Sequence, residues 1–478
     1  MVKWPRIKLL EYQLGNARTY NEWFDIAKVL DSKTGAAEWQ ATDESPLYPW
    51  KRVKEHTAQI NQYLQQNDPG NLAYFLHESL YLNWGDISNP ALYQEALTGT
   101  KHLIEAYLQT ISKSLEFLSQ TSVPGMSDTQ KNALYAQSAH NFGRSALLLS
   151  GGAAWGVYHL GVVKALWLQD VLPKVISGAS MGSFIASVVC VRSDKEIQAM
   201  YDAPEMLNTE AFRVLNVAGI WTNKSLMDSQ QLLECIKKNV GEYTFEEAYL
   251  RSGRVLNIPV SPVRAGQKAR LLSYLTTPDV MVSHSSLASC AVPGIFPPVS
   301  LIAKNIHGEI KPYLDGEKWI DGSIHDDLPI RRLSRLHNVN HSIVSQANPH
   351  ILPFLLSKNT DGLTPFAVDL TTSVMHAASI QAVKALNQRV NLASQSALVR
   401  KAYGVIDQKY TGDINIYPGF NPLMYYKLLS NPTREGMENF ILEGERATWP
   451  LIPRIRDQTL ISRTFEKGLR TISNLSKE

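Results

Sequence analysis

Two periodicities divide the chain. Leu103, Tyr107, Ile111, Leu115 and Leu118 recur at intervals of four and three, with Lys101, Glu105, Ser112 and Glu116 elsewhere around the wheel, which predicts a helix packed on a core. Nearer the start, Thr19-Tyr-Asn-Glu22 has the form of a capping box, Trp23, Ile26 and Leu30 follow at helical spacing, and Gly35 is placed to end that helix. With residues 51–64 and 71–82, this makes residues 1 to about 120 mostly helical, and SVPGMSDTQKN, residues 122–132, reads as a boundary. From Ser145 the period changes: ALLLS (146–150) is a short apolar run that ends in glycines before helical spacing resumes. KVISG (174–178) repeats this strand-turn-helix unit, and RVLNIPV (254–260) and HSIVSQA (341–347) supply further strands. Strands that alternate with helical segments predict an α/β layer with a mostly parallel central sheet. Beyond about residue 352 helix formers return. The expected division is a helical N-terminal domain over 1–130, a catalytic α/β domain over 145–352 and a helical C-terminal region over 353–478.

The length of 478 residues agrees with two or three domains. Forty-seven Lys and Arg against 44 Asp and Glu leave a net charge of +3, too little to argue for nucleic acid or a polybasic membrane contact. Cys190, Cys235 and Cys290 lie far apart without CxxC spacing, so no disulfide framework or zinc knuckle is expected and an intracellular, cytoplasmic setting fits. MVKWPRIKLLEYQ lacks the apolar core of a secretion signal, and no apolar run reaches the ~18 residues of a membrane span. The chain therefore reads as neither secreted nor membrane-spanning.

Chemistry concentrates in three places. Gly178-Ala-Ser180-Met-Gly182 matches GxSxG between a strand and a helix, the context of a nucleophile elbow, where glycines are needed because the turn brings backbone too close for side chains. Ser150-Gly151-Gly152-Ala153-Ala154-Trp155-Gly156 closes the preceding strand and opens a helix, so its bare amides suit an anion. It lacks the GK[ST] of a P-loop and the GxGxxG of a dinucleotide fold, which favours the oxyanion of an acyl-transfer intermediate over a nucleotide phosphate. A serine also needs a base. His325, His337, His341, His350 and His376 are available to a Ser-Asp-His order, while Trp319-Ile-Asp321-Gly-Ser323 places an aspartate after an apolar run, with Asp315-Gly316 as a rival or a plain turn.

Together these elements resemble the patatin-like phospholipases, which combine a glycine-rich loop, GxSxG one strand-helix unit later and a downstream DG[AGS]. Ser286-Leu-Ala-Ser-Cys-Ala-Val-Pro293-Gly-Ile-Phe-Pro297 is similar to that family's helix-then-proline segment. The resemblance extends to the subfamily of yeast and seed triacylglycerol lipases, through YNEWFDIAKVLDSKTG and NPALYQEALTGTKHLIEAYL before the core, and GDINIYP, LLSNPT and EGERATWPLIPRIRD after it. It implies a patatin-like three-layer α/β/α sandwich and a Ser/Asp dyad that cleaves lipid acyl esters through an acyl-enzyme. Carried onto this chain, Ser180 is the nucleophile, Asp321 the base, Gly151, Gly152 and Ala153 the oxyanion amides, and Gly178 and Gly182 the elbow glycines. The resemblance requires no cofactor or metal. It implies a lipid substrate, peripheral contact with a membrane or lipid droplet, and the possibility of acyl transfer to a lysolipid or glycerol.

Against the commoner loop DGGGxRG, this chain has Ser150 for the acid, Ala153 for the third glycine and Trp155 for the basic residue, a change that suits a neutral, apolar substrate. Three other readings stand beside this one: a Ser-His-Asp esterase of the α/β-hydrolase type, a non-catalytic lipid-binding scaffold, and a nucleotide-binding module weakened by the missing lysine.

Overall fold

The computed structural model describes residues 3–216, 225–264, 267–348, 410–419 and 428–475. Its centre is a sheet built on β1 (Arg144–Leu149), with β2 (Val175–Gly178) parallel to it on one side and β3 (Val255–Pro262) parallel beyond β2. The short β4 (Arg270–Leu272) closes the far edge of β3 in the antiparallel sense. β5 (Ile302–Lys304) and β6 (Ile310–Pro312) form a separate hairpin, and β7 (Trp319–Asp321) returns antiparallel to the end of β3. β8 (Val339–Ser345) pairs with the other side of β1, and β9 (Ile414–Ile416) extends the sheet beyond β8, both in parallel.

Alternation along the strands makes the layers. In β1, Leu147 and Leu149 join a core with Val163, Leu166, Ile185 and Val189 of the helices on one face, while Ala146 and Leu148 join Leu328 and Leu333 on the other. The result is the expected α/β/α sandwich with a mostly parallel sheet.

Residues 3–142 form helices joined by loops, with a core of their own around Ile60, Leu72, Tyr107 and Ile111. Thr19 caps its helix by accepting from the Glu22 amide at 3.2 Å, but the Glu22 carboxylate takes the Arg18 amide, one residue further back than a capping box requires. Gly35 ends that helix at φ +89°. The boundary stretch contains a helix start, because Ser127 and Gln130 form a reciprocal cap for Asp128–Phe142.

Of the C-terminal region expected to be helical, residues 353–409, 420–427 and 476–478 lie outside the described residues, and its described part holds helices and one strand. It contributes β9 to the sheet, and its helix Ile452–Leu475 places Ile461, Phe465 and Ile472 in the N-terminal helical core. Helix Arg434–Thr448 crosses Tyr158–Leu168 at backbone contact: a Cβ on Gly161 would stand 1.9 Å from the Ile441 carbonyl oxygen. No described helix is long and apolar enough to cross a membrane.

Candidate active site

β2 ends at Gly178, and the chain turns through Ala179 and Ser180 into helix Met181–Cys190. Ser180 holds φ +50° and ψ −127°, a conformation that L-residues avoid and that persists only where surroundings impose it. They do so closely here. A Cβ on Gly178 would stand 2.1 Å from the Gly182 carbonyl oxygen, and one on Gly182 would stand 2.2 Å from that of Leu149. The Ser180 amide donates to Ser289 Oγ at 3.1 Å, and Ser289 Oγ donates to the Pro259 carbonyl at 2.8 Å, which ties the turn to β3. Ser183 Oγ donates to the Ser180 carbonyl at 2.6 Å.

Sheet topology brings Asp321 to this turn. β2 pairs with β3 over Val255–Asn257, and β7 takes the edge that β2 vacates, with Asp321 opposite Val260. The last residue of β7 thus arrives beyond the C-terminal end of β2. Gly322 allows the approach, since a Cβ there would meet the Pro259 carbonyl oxygen at 2.1 Å. Asp321 is fully buried, and its Oδ1 accepts the Ser323 amide at 2.7 Å. Its Oδ2 has no hydrogen-bond partner among the described residues. Burial pushes the carboxyl up to about 6, opposed by donation from Ser323 and by the nearby Ser180 hydroxyl.

The glycine-rich loop lies against the turn: a Cβ on Gly151 would stand 3.3 Å from Ser180 Cβ. Its three amides are not equivalent. Gly151 N–H donates to Asp327 Oδ1 at 3.0 Å and is therefore occupied, whereas no described residue accepts the amides of Gly152 or Ala153. Ser150, where the commoner loop carries an acid, is buried. Its Oγ accepts the Ala347 amide and donates to the Gly151 carbonyl, both at 2.8 Å.

Ala153 sits at φ +47°, a conformation that costs a residue with a Cβ about 1–2 kcal/mol. Ala153→Gly is therefore expected to raise the thermal midpoint by a few degrees with ester hydrolysis retained, as differential scanning calorimetry and an activity assay would measure.

Asp327, which sequence reasoning did not single out, holds the loop from below. It is buried, accepts from Gly151, and takes the Asn348 side-chain amide on Oδ2 at 2.5 Å. Burial, reinforced by the neighbouring Asp321 charge, raises its carboxyl to about 8. Two adjacent acids are thus separated near neutral pH, Asp321 mostly ionised and Asp327 mostly protonated. Asp327→Ala leaves the Gly151 amide buried without an acceptor, at a cost of about 1–3 kcal/mol. Loss of at least tenfold in kcat with little change in KM is expected, and Asp327→Asn, which keeps an acceptor, should recover most of it.

The rival residues lie elsewhere. Asp315 occupies an exposed turn between β6 and β7. His337 Nε2 is held by Asn257 Oδ1 at 2.8 Å, and His341 lies between Ser145 and Gln458, so neither faces Ser180. His350, His376 and the side chain of His325 lie outside the described residues. Cys290 neighbours the Ser180 hydroxyl, but burial, helped by the Asp321 charge, pushes its thiol far up and keeps it neutral and unreactive. An apolar pocket lined by Ala154, Leu160, Met181, Phe184, Leu207 and Phe212 lies against the helix that follows Ser180.

Comparison with known proteins gives the family. The patatin-like phospholipase profile matches residues 147–334, from β1 to beyond Asp327. A patatin-like phospholipase domain-containing protein of Aspergillus fumigatus is 31% identical over 97% of this chain and 69% of its own. The chain belongs to the patatin-like phospholipase family. A domain of unknown function, DUF3336, matches residues 1–140, the helical region ahead of the patatin-like sheet. Triacylglycerol lipase 4 of Saccharomyces cerevisiae is 34% identical over 93% of this chain and 51% of its own length. For triacylglycerol lipase 5 of the same yeast the figures are 33%, 94% and 63%. The chain thus spans between half and two thirds of the length of these two yeast relatives.

Proposed function

We propose that the protein hydrolyses acyl esters of lipids through an acyl-enzyme on Ser180. The carrying observation is a serine held at φ +50° beside a fully buried carboxylate whose Oδ2 has no hydrogen-bond partner among the described residues. Asp321 takes the Ser180 proton as Oγ attacks the acyl carbonyl, and the Gly152 and Ala153 amides receive the oxyanion. Collapse of the intermediate expels the alcohol, which leaves with the proton from Asp321. Water then attacks the acyl-enzyme, Asp321 takes its proton, and Ser180 recovers its hydrogen as the fatty acid departs. An aspartate raised to about 6 is a better base near neutral pH than an ordinary one, and most of it is ionised there. Gly151 helps by fixing the loop through Asp327 rather than by donating to the oxyanion.

Three observations support a substrate class. The pocket beside the Ser180 helix is apolar and suits an acyl chain, and two relatives are named triacylglycerol lipases. Trp155, 4% exposed, puts an indole where the commoner loop carries a positive charge, which favours a neutral acylglycerol over an anionic phospholipid. Such a substrate requires peripheral contact with a membrane or lipid droplet, and a lysolipid or glycerol in place of water gives acyl transfer from the same intermediate.

A lipid panel that compares wild type with Ser180→Ala tests the reading. Trioleoylglycerol is expected to be consumed faster than phosphatidylglycerol by the wild type, and neither by the variant. Equal turnover by both proteins would overturn it. A non-catalytic lipid-binding scaffold gives no reason to hold a serine in a strained turn beside a buried acid.

A further inference from the structure

Ser180 follows the C-terminal end of β2, whereas a second cleft, of about 600 Å³, lies across the opposite end of the sheet. Lys174 and Arg254 immediately precede β2 and β3 and form part of its floor, and the Val255 amide joins them by donating to the Lys174 carbonyl at 2.7 Å. Helix Ile452–Leu475 supplies Arg463 and Arg470, and helix His102–Gln120 completes the wall with Ser112 and Glu116. The cleft is therefore shared by the sheet, the N-terminal helices and the C-terminal helix, and its volume falls in the ordinary range of small-molecule sites.

Its charges do not balance. Of the acids that line it, Asp194 pairs with Arg254, Glu116 with Lys467 at 2.9 Å, and Glu466 with Arg144 at 2.9 Å. Asp170, the remaining acid, is exposed. Lys174, Arg463 and Arg470 have no carboxylate within 4.0 Å among the described residues. Arg463 is held by neutral acceptors, Nη1 by the Asp170 carbonyl at 2.9 Å and Nε by Thr459 Oγ1 at 3.1 Å. Half-buried Lys174 is pulled below the usual lysine value, by burial first and then by the Arg254 and Arg470 charges, which the Asp194 and Glu466 charges only partly offset. Like charges gathered in a walled, partly desolvated space favour an anion of two or more charges.

We propose that this cleft binds a phosphate-bearing ligand the size of a nucleoside diphosphate, with Lys174, Arg463 and Arg470 on the phosphates. The site is distinct from the loop and elbow around Ser180, so the proposal does not depend on the lipase reading.

Isothermal titration of the full chain with ADP and with inorganic pyrophosphate, at low ionic strength, tests a free ligand. Flotation with phosphatidylcholine vesicles, with and without phosphatidate, tests a lipid headgroup. Saturable binding of ADP or pyrophosphate is expected. Lys174→Gln and Arg470→Gln should each raise Kd by about tenfold or more, and Lys174→Arg should restore it. Lys467→Gln, which removes a cation already paired with Glu116, should change Kd by less than about threefold. Arg470 is exposed, so its variant is expected to fold as the wild type does and keeps the test valid if Lys174 variants unfold. Binding confined to phosphatidate vesicles, and lost in the same variants, would support the site and identify its phosphate as a headgroup. Absence of saturable binding to every probe, or binding that both Gln variants leave unchanged, would overturn the proposal.

Discussion

Ser180→Ala is expected to lower kcat for ester hydrolysis by roughly four orders of magnitude or more, because the removed oxygen is the atom that carries the acyl group. The loss should not come from unfolding. The tethers of the turn are backbone groups of residue 180, the amide to Ser289 and the carbonyl to Ser183, and both survive truncation of the side chain. Circular dichroism and the thermal midpoint of Ser180→Ala should therefore match the wild type. Ser180→Gly separates geometry from chemistry further. It relieves the strain of φ +50°, of order 1–3 kcal/mol before the entropy cost of glycine, and should be inactive yet at least as stable as the wild type. A strained residue whose relief stabilises the protein and abolishes activity is one retained for function.

Asp321→Asn is expected to abolish turnover and to stabilise the protein at alkaline pH. The folded carboxyl ionises near 6 instead of 3.8. Below about pH 4 it is protonated in both states and costs nothing. As pH rises from 4 to 6 the unfolded chain loses the proton first, so the native state binds more protons and stability falls. Above 6 the penalty is complete, at about 3 kcal/mol for a shift of roughly two units. Asn removes the charge and leaves an acceptor for the Ser323 amide. Chemical denaturation at pH 5 and pH 8 should show a larger stabilisation by Asp321→Asn at pH 8. In the wild type, kcat/KM should rise with pH through an apparent pKa near 6 and level off above it. A purely structural aspartate predicts the stability change without the activity loss.

The parts of this fold that were legible in sequence are those written locally. β1 and β2 stand in short apolar runs that end at glycines, Gly151 and Gly178, and β3 and β8 are buried along nearly their whole length, although Asn257, His341 and Ser342 interrupt them, because both faces of the sheet are covered. β4, β7 and β9 are three residues each and exist through their pairing partners, so no local pattern announces them. The docking of helix Ile452–Leu475 on the N-terminal helices was equally hidden, since its apolar face says that it is buried but not against what.

The candidate site divides in the same way. Ser180, Asp321 and the loop stand in motifs whose residue types the chemistry demands. The roles of Ser289 and Asp327 depend on tertiary placement. Ser289 is one serine in a buried run with Ser283, Ser285 and Ser286, and Asp327 is the second acid of a HisAspAsp stretch. Histidines were unresolvable from sequence for the same reason: His337 and His341 acquire their partners, Asn257, Ser145 and Gln458, only on folding.

In the proposed mechanism, Ser180 is made nucleophilic by Asp321. Reaction with a fluorophosphonate, followed by peptide mapping in a mass spectrometer, tests it most directly, because the reagent bonds to activated serines. The account predicts one adduct, on Ser180. Its rate of formation should climb as pH passes 6, and it should be nearly absent in Asp321→Asn. An adduct on another residue, no adduct, or labelling of Ser180 undiminished in Asp321→Asn would contradict it.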